Sequence, residues 1–328
     1  MNPLRSLRKH FLTSIFLAAL IIGCEEDSDP GGPDQTVISQ GMELEQSTRM
    51  TDAFPKQTQV AGTPKILDSK DTLYLIAGTY TNVQVTVESG DVAGFHVQVK
   101  GSKDYFKVTS ARAFVEYAPS TARGFAITVD ENSSAGPITL LYSAYNADQK
   151  VSNIIERPVI IVGMPGEGSE FISAGQWSTV WEIMGTGPDS DTIKMGVGKI
   201  YEFTTPLDCV NEPDKTVTFI QESRVDYRHY TFGSDGTLAL EVDDFHQTLD
   251  RPASESSCSL QHAVTDEIDL YDGIWSYHSE TKRLITRIKL QGTANVDRRE
   301  FRVSMQDDKL VLTGINSLVP VMHVLEAR

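Results

Sequence analysis

Few residue types in this chain could carry covalent or metal chemistry, and they are scattered. Three cysteines stand at positions 24, 209 and 258. A thiol can be a nucleophile, a metal ligand, an acyl acceptor or half of a disulfide, and an odd count leaves one without a partner. His96, His229, His246, His262, His278 and His323 show no metal-ligand spacing. Acids gather twice. Glu241-Val242-Asp243-Asp244-Phe245-His246 offers oxygen ligands to a hard divalent cation. It lacks the glycine and spacing of a calcium loop and reads better as a solvated strand end. Asp266, Glu267, Asp269 and Asp272 could supply a glycosidase pair, although closeness in sequence does not set the separation such a pair needs across a substrate. There is no Gly-x-Ser-x-Gly elbow, phosphate-binding loop or His-Glu-x-x-His. The chain therefore reads as non-enzymatic, with no catalytic residue, no metal and no cofactor.

The segment that positions Cys24 opens with Arg5, Arg8 and Lys9, followed by an uncharged apolar run from Phe11 to Gly23. Those 13 residues fall short of the ~20 that cross a bilayer as a helix. A basic start, a short apolar core and a small residue before a boundary form a secretory signal. The boundary Leu20-Ile21-Ile22-Gly23-Cys24 resembles the lipobox of bacterial lipoproteins. The resemblance implies removal of residues 1–23 and diacylation of Cys24, two chains being what makes anchoring stable. It also leaves Cys209 and Cys258 as an even pair in an oxidising compartment, where a disulfide is expected. Glu25, Glu26, Asp27 and Asp29 resemble the acidic surface-export signal of Bacteroidota lipoproteins, which implies the outer face of the outer membrane. Asp71-Thr72-Leu73 and Asp191-Thr192-Ile193 resemble the short O-glycosylation acceptor of the same group.

Removing residues 1–23 deletes three basic residues and no acidic ones, so 45 acids face 26 Lys and Arg, a net charge of −19. That argues against nucleic acid, whose phosphates are bound by Lys and Arg. The membrane, reached through the lipid on Cys24, is the expected partner surface.

Residues 24–64 read as the lipidated cysteine and a flexible tether, rich in Gly, Pro and polar residues around Asp29-Pro30-Gly31-Gly32-Pro33-Asp34. About 270 residues remain, enough for two domains. From 65 to 163 the pattern alternates: Val83, Val85, Val87; Phe95, Val97, Val99; Phe125, Ile127, Val129. Turn residues separate these runs, and such short half-buried strands predict a β-sandwich. Ile138–Asp148 followed by Val151-Ser152-Asn153 resembles the late strands of Ig-like modules. Gly163-Met164-Pro165-Gly166-Glu167-Gly168-Ser169 breaks any element and marks a linker over 164–170.

From 171 to 328, eight to ten sequential strands predict an antiparallel meander, whose closure into a barrel would remove its edges. Ser234-Asp235-Gly236 reads as a hairpin turn. Gly175-Gln176-Trp177, Tyr230–Thr237, Gly273-Ile274-Trp275 and Lys309–Thr313 follow the order of the lipocalin-like domains of Bacteroidota lipoproteins. Two features depart from that family: extra residues between Cys209 and Cys258, and Pro320 within the closing strand Leu318–Leu325, where a central strand would not tolerate it. Strict alternation puts Trp177 and Thr179 on one face of the first strand, Val180 and Glu182 on the other. Tyr230 and Phe232 are the candidate lining of a ligand cavity, with a filled core as the alternative.

The expectation is an all-β protein: an Ig-like β-sandwich followed by a lipocalin-like antiparallel β-barrel. It would be a lipid-anchored outer-membrane protein on the cell surface, binding a small apolar molecule or a partner through the barrel. One alternative is a structural accessory subunit of an outer-membrane nutrient-uptake complex, with a filled barrel and an exposed apolar patch. The other is a glycoside hydrolase using a carboxylate pair.

Overall fold

The structure is a computed structural model that describes residues 33–67, 71–113, 122–173, 175–185, 192–315 and 321–328. The lipobox cysteine Cys24, the signal 1–23, the acidic run Glu25–Asp29, Asp191 and Pro320 lie outside the described residues. The chain folds as expected into an all-β sandwich followed by an antiparallel β-barrel.

The first finding corrects the tether. Asp34 caps a short helix, α1 (Gln35–Gln40), by accepting from Thr36 N–H at 2.8 Å. Two short strands follow, β1 (Met42–Leu44) and β2 (Ser47–Met50). Ile38, Met42 and Leu44 are buried in the sandwich core, and Arg49 pairs with Asp104 and donates to the carbonyls of Ser39 and Met42. Phe54 then packs edge-on against His96 and Tyr105. The segment looks unstructured because its few apolar residues gain burial only from partners far along the chain.

The sandwich continues with β3 (Lys65–Ile66), β4 (Leu73–Ile76), β5 (Tyr80–Ser89), β6 (Gly94–Val99), β7 (Tyr105–Val108), β8 (Arg112–Ala113), β9 (Ala122–Val129), β10 (Gly136–Tyr145) and β11 (Ile155–Val162). One sheet runs β1-β9-β5-β3 with β8 against β9; the other runs β2-β7-β6-β10-β11-β4. Within β5, Thr81, Val83 and Val85 are buried while Tyr80, Asn82 and Gln84 face out, the period two of a half-buried strand. Phe95 meets Phe125 at 5.3 Å and Phe125 meets Tyr142 at 5.9 Å between the sheets.

A short helix, α2 (Glu170–Ser173), leads into the barrel strands β12 (Gln176–Gly185), β13 (Thr192–Gly196), β14 (Ile200–Asp208), β15 (Thr216–Phe232) and β16 (Thr237–Leu249). After α3 (Arg251–Ser257) come β17 (His262–His278), β18 (Arg283–Leu290), β19 (Asp297–Gln306), β20 (Lys309–Gly314) and β21 (Val321–Ala327). Neighbours from β14 through β21 pair in sequence, and β12 pairs with both β21 and β15. Among the described residues this closes eight strands, β12 and β15 to β21. β15 and β17 are 17 residues each and run well past the barrel. With β14 and the far half of β16 they form a four-stranded extension carrying α3 at its tip.

The expected linker is held in place. Ser276 Oγ–H donates to Gly163 O at 2.6 Å and Tyr277 N–H to Pro165 O at 2.8 Å. Gly166 has φ +94° and its Cα abuts the Tyr277 backbone, so a side chain there would collide with it. Tyr74, Ile76 and Val162 of the sandwich pack on Ile285 of the barrel wall. Arg283 stacks over Tyr74 at 4.3 Å, and Arg298 donates to Tyr74 O at 2.9 Å.

Candidate functional site

One half of the barrel interior is packed solid. Trp177, Phe232, Leu238, Trp275, Leu284, Leu310 and Leu325 are all buried in one cluster, and Trp177 Nε1–H donates to Ile172 O of α2 at 2.7 Å. Tyr230 and Phe232, the candidate cavity lining, belong to this cluster. Their rings stack at 6.0 Å, and Phe232 meets Trp275 at 5.3 Å. They are core rather than the wall of an open cavity, because the neighbouring strands each send a large side chain into the same layer.

The next layer is charged. Arg228 Nη1 lies 2.9 Å from Glu182 Oε2, His323 Nδ1 lies 3.1 Å from the same oxygen, and Arg228 Nη2 lies 3.7 Å from Asp244. Glu182 and His323 are each 1% exposed. Burial alone would raise the Glu182 pKa, but the close approach of His323 and the charges of Arg228 and Arg299 outweigh it and hold the carboxyl below its ordinary value. Thr179 Oγ1, Glu182 Oε1 and Arg228 Nε make no hydrogen bond among the described residues. Strict alternation had turned Glu182 outward. A bulge between Thr179 and Trp181 shifts the register, so Glu182 points inward with Thr179.

A cleft of about 470 Å³ opens between sandwich and barrel. Thr72, Leu73, Asn82, Gln84 and Arg157 line it from the sandwich, and Arg298, Arg299, Phe301 and Val321 from the barrel. Thr72 of the first glycosylation-like triplet therefore stands on the cleft wall.

The two acidic groups singled out in the sequence meet on the outer face of the extension. Carboxylate oxygens of Asp226, Asp243 and Asp266 lie within 4.8 Å of one another. Arg224 Nε donates to both oxygens of Asp226 at 2.8 Å and so offsets part of that charge. Partial desolvation, then Asp226 and Asp266, raise the Asp243 pKa above its ordinary value. Along β17, Asp266 and Asp272 share the outer face while Glu267 and Asp269 share the inner one, so this run does not face itself across a cleft. The same outer face exposes apolar side chains: Ile200, Ile220, Val264, Ile268 and Leu270 are 43–56% exposed. Glu202 and Glu222 stand directly opposite each other there.

Cys209 and Cys258 form a disulfide, with Cα atoms 5.1 Å apart, joining the end of β14 to the end of α3. No helix among the described residues is long and apolar enough to cross a membrane. In comparisons with known proteins, the chain matches no family model, no curated sequence and no solved structure.

Proposed function

We propose that this chain is a non-enzymatic lipoprotein of the outer-membrane surface, attached through Cys24, whose extension docks on a partner protein as an accessory subunit. The observation that carries the reading is the contrast between a packed interior and an exposed face. The apolar half of the barrel is filled by its own side chains, while Ile200, Ile220, Val264, Ile268 and Leu270 stand in water on one face of the extension. Single exposed apolar residues are ordinary, but a set sharing one sheet face marks an interaction surface. Acids interleave with them, including the opposed pair Glu202 and Glu222, whose repulsion a basic partner would relieve. The partner is therefore an outer-membrane protein presenting apolar surface edged with Lys and Arg.

The test is photo-crosslinking in the native host from positions 264 and 268, with Glu280 in the exposed β17–β18 turn as control. A discrete adduct from 264 and 268, absent at 280 and lost with Glu202→Lys/Glu222→Lys, is expected. No adduct from 264 or 268, or the same adduct from 280, contradicts the reading.

A further inference from the structure

We propose that the cleft between sandwich and barrel is a second binding site, for a small hydroxylated organic acid whose oxyanion is held by Arg157. This goes beyond partner docking and concerns a different surface.

Arg157 sits on β11 between Ile155 and Val159, on the core-facing side of the strand, and is only 9% exposed. A guanidinium at that depth is normally matched by a carboxylate. Arg157 donates Nε–H to the Asp71 carbonyl at 3.2 Å, and its two terminal nitrogens have no hydrogen bond or ion pair among the described residues. The other arginines of the cleft are already matched: Arg298 to Glu300 at 2.6 Å and Arg299 to Asp297 at 2.6 Å. Among the described residues the unmatched cation of the cleft is thus the buried one, with the carboxylate of Asp71 also on the cleft wall, and its free edge is the pair of nitrogens that takes an oxyanion in parallel hydrogen bonds.

The rest of the cleft suits a molecule rather than a lone ion. A volume of about 470 Å³ falls in the range of small-molecule sites. Asn82 and Gln84 face outward from β5 and supply amide donors and acceptors for hydroxyls, while Leu73, Phe301 and Val321 give an apolar wall.

The experiment is thermal unfolding of the mature chain with sodium glucuronate, glucose 6-phosphate and neutral glucose as probes. A saturable rise of the midpoint with glucuronate or glucose 6-phosphate, and none with glucose, is expected. A response to glucuronate assigns the oxyanion as a carboxylate; one to the phosphate ester alone assigns it as a phosphate. Arg157→Met keeps an apolar body between Ile155 and Val159 and should abolish the rise. Asn82→Asp/Gln84→Glu alters only exposed β5 positions, leaves the core intact and should abolish it too. The proposal is overturned if neither acid shifts the wild-type midpoint, if glucose shifts it equally, or if the β5 double variant responds like wild type.

Discussion

Arg228 on β15 and Glu182 on β12 form an ion pair of 2.9 Å across the seam that closes the barrel. The backbones of these strands pair only at Gln176–Thr231, Trp177–Tyr230 and Ser178–His229. Beyond those pairs both strands bulge, β12 after Thr179 and β15 after Val225, and each turns to another neighbour. The ion pair joins the strands past the point where backbone pairing ends. Removing Glu182 leaves Arg228 with only the more distant Asp244, at 3.7 Å, and stranding a charge of a buried pair costs up to about 3–5 kcal/mol. Glu182→Ala should therefore lower unfolding stability in urea by about that much. Glu182→Leu/Arg228→Met should lose less than the two single losses combined. Additive losses would show that the pair does not act as a unit.

The acid limb of stability should have a component from His96. Its ring is buried against Tyr145 at 4.7 Å, and burial, followed by the charge of Lys107, lowers its pKa to about 4 despite the opposing pull of Asp52. Between about 6.5 and 4 the unfolded chain binds this proton and the folded chain does not. Stability from neutral His96 is therefore present above pH 6.5 and is lost as pH falls towards 4, by about 3 kcal/mol in all. Glu182 adds to the acid limb with the same sign, because its depressed pKa makes its contribution fade as pH falls below the ordinary carboxyl value. His96→Phe should flatten the profile between pH 6.5 and 4. An unchanged slope would rule out His96 as its source.

The packed interior predicts how aromatic truncation behaves. Phe232 is 2% exposed and Trp275 fully buried, so Phe232→Ala and Trp275→Ala should each cost about 3–5 kcal/mol in denaturant unfolding. A loss below 1 kcal/mol for Phe232→Ala would mean that its ring borders open space, as a cavity-lining residue would.

The elements with their own alternation were legible in the sequence. β5, β6 and β9 show period two in Val83 and Val85, Phe95 and Val97, Phe125 and Ile127, and each lies where that pattern puts it. The Ser234-Asp235-Gly236 hairpin closes as expected, with Asp235 Oδ1 accepting from Thr237 N–H at 3.0 Å. Three features were not legible. Met42–Leu44 is a three-residue strand whose partner among the described residues, β9, lies some eighty positions away. The bulge after Thr179 reverses which side chains face inward, and no local residue type announces it. β17 continues through an acidic stretch that breaks the apolar pattern, because that stretch is exposed or half-exposed on both faces of the extension.

The disulfide clamps the tip of that extension. Cys209 and Cys258 are 49 positions apart, and closing a loop of that length stabilises by about 4 kcal/mol on entropic grounds. Cys209→Ser/Cys258→Ser should lose up to that amount. The loss should be concentrated locally, with amide exchange rising across 200–222 and 243–270 more than in β18 to β21. Uniform acceleration over the whole barrel would mean that the extension and the closed strands unfold as one unit.

Native mass spectrometry of the lipid-bearing chain, released from its own host's membranes in mild detergent, tests the central claim most directly. The account predicts a complex of this chain with a second protein, lost when Val264→Asp/Ile268→Asp removes the apolar face. A chain that instead flies alone with a co-purified apolar small molecule, unaffected by those substitutions, would contradict it.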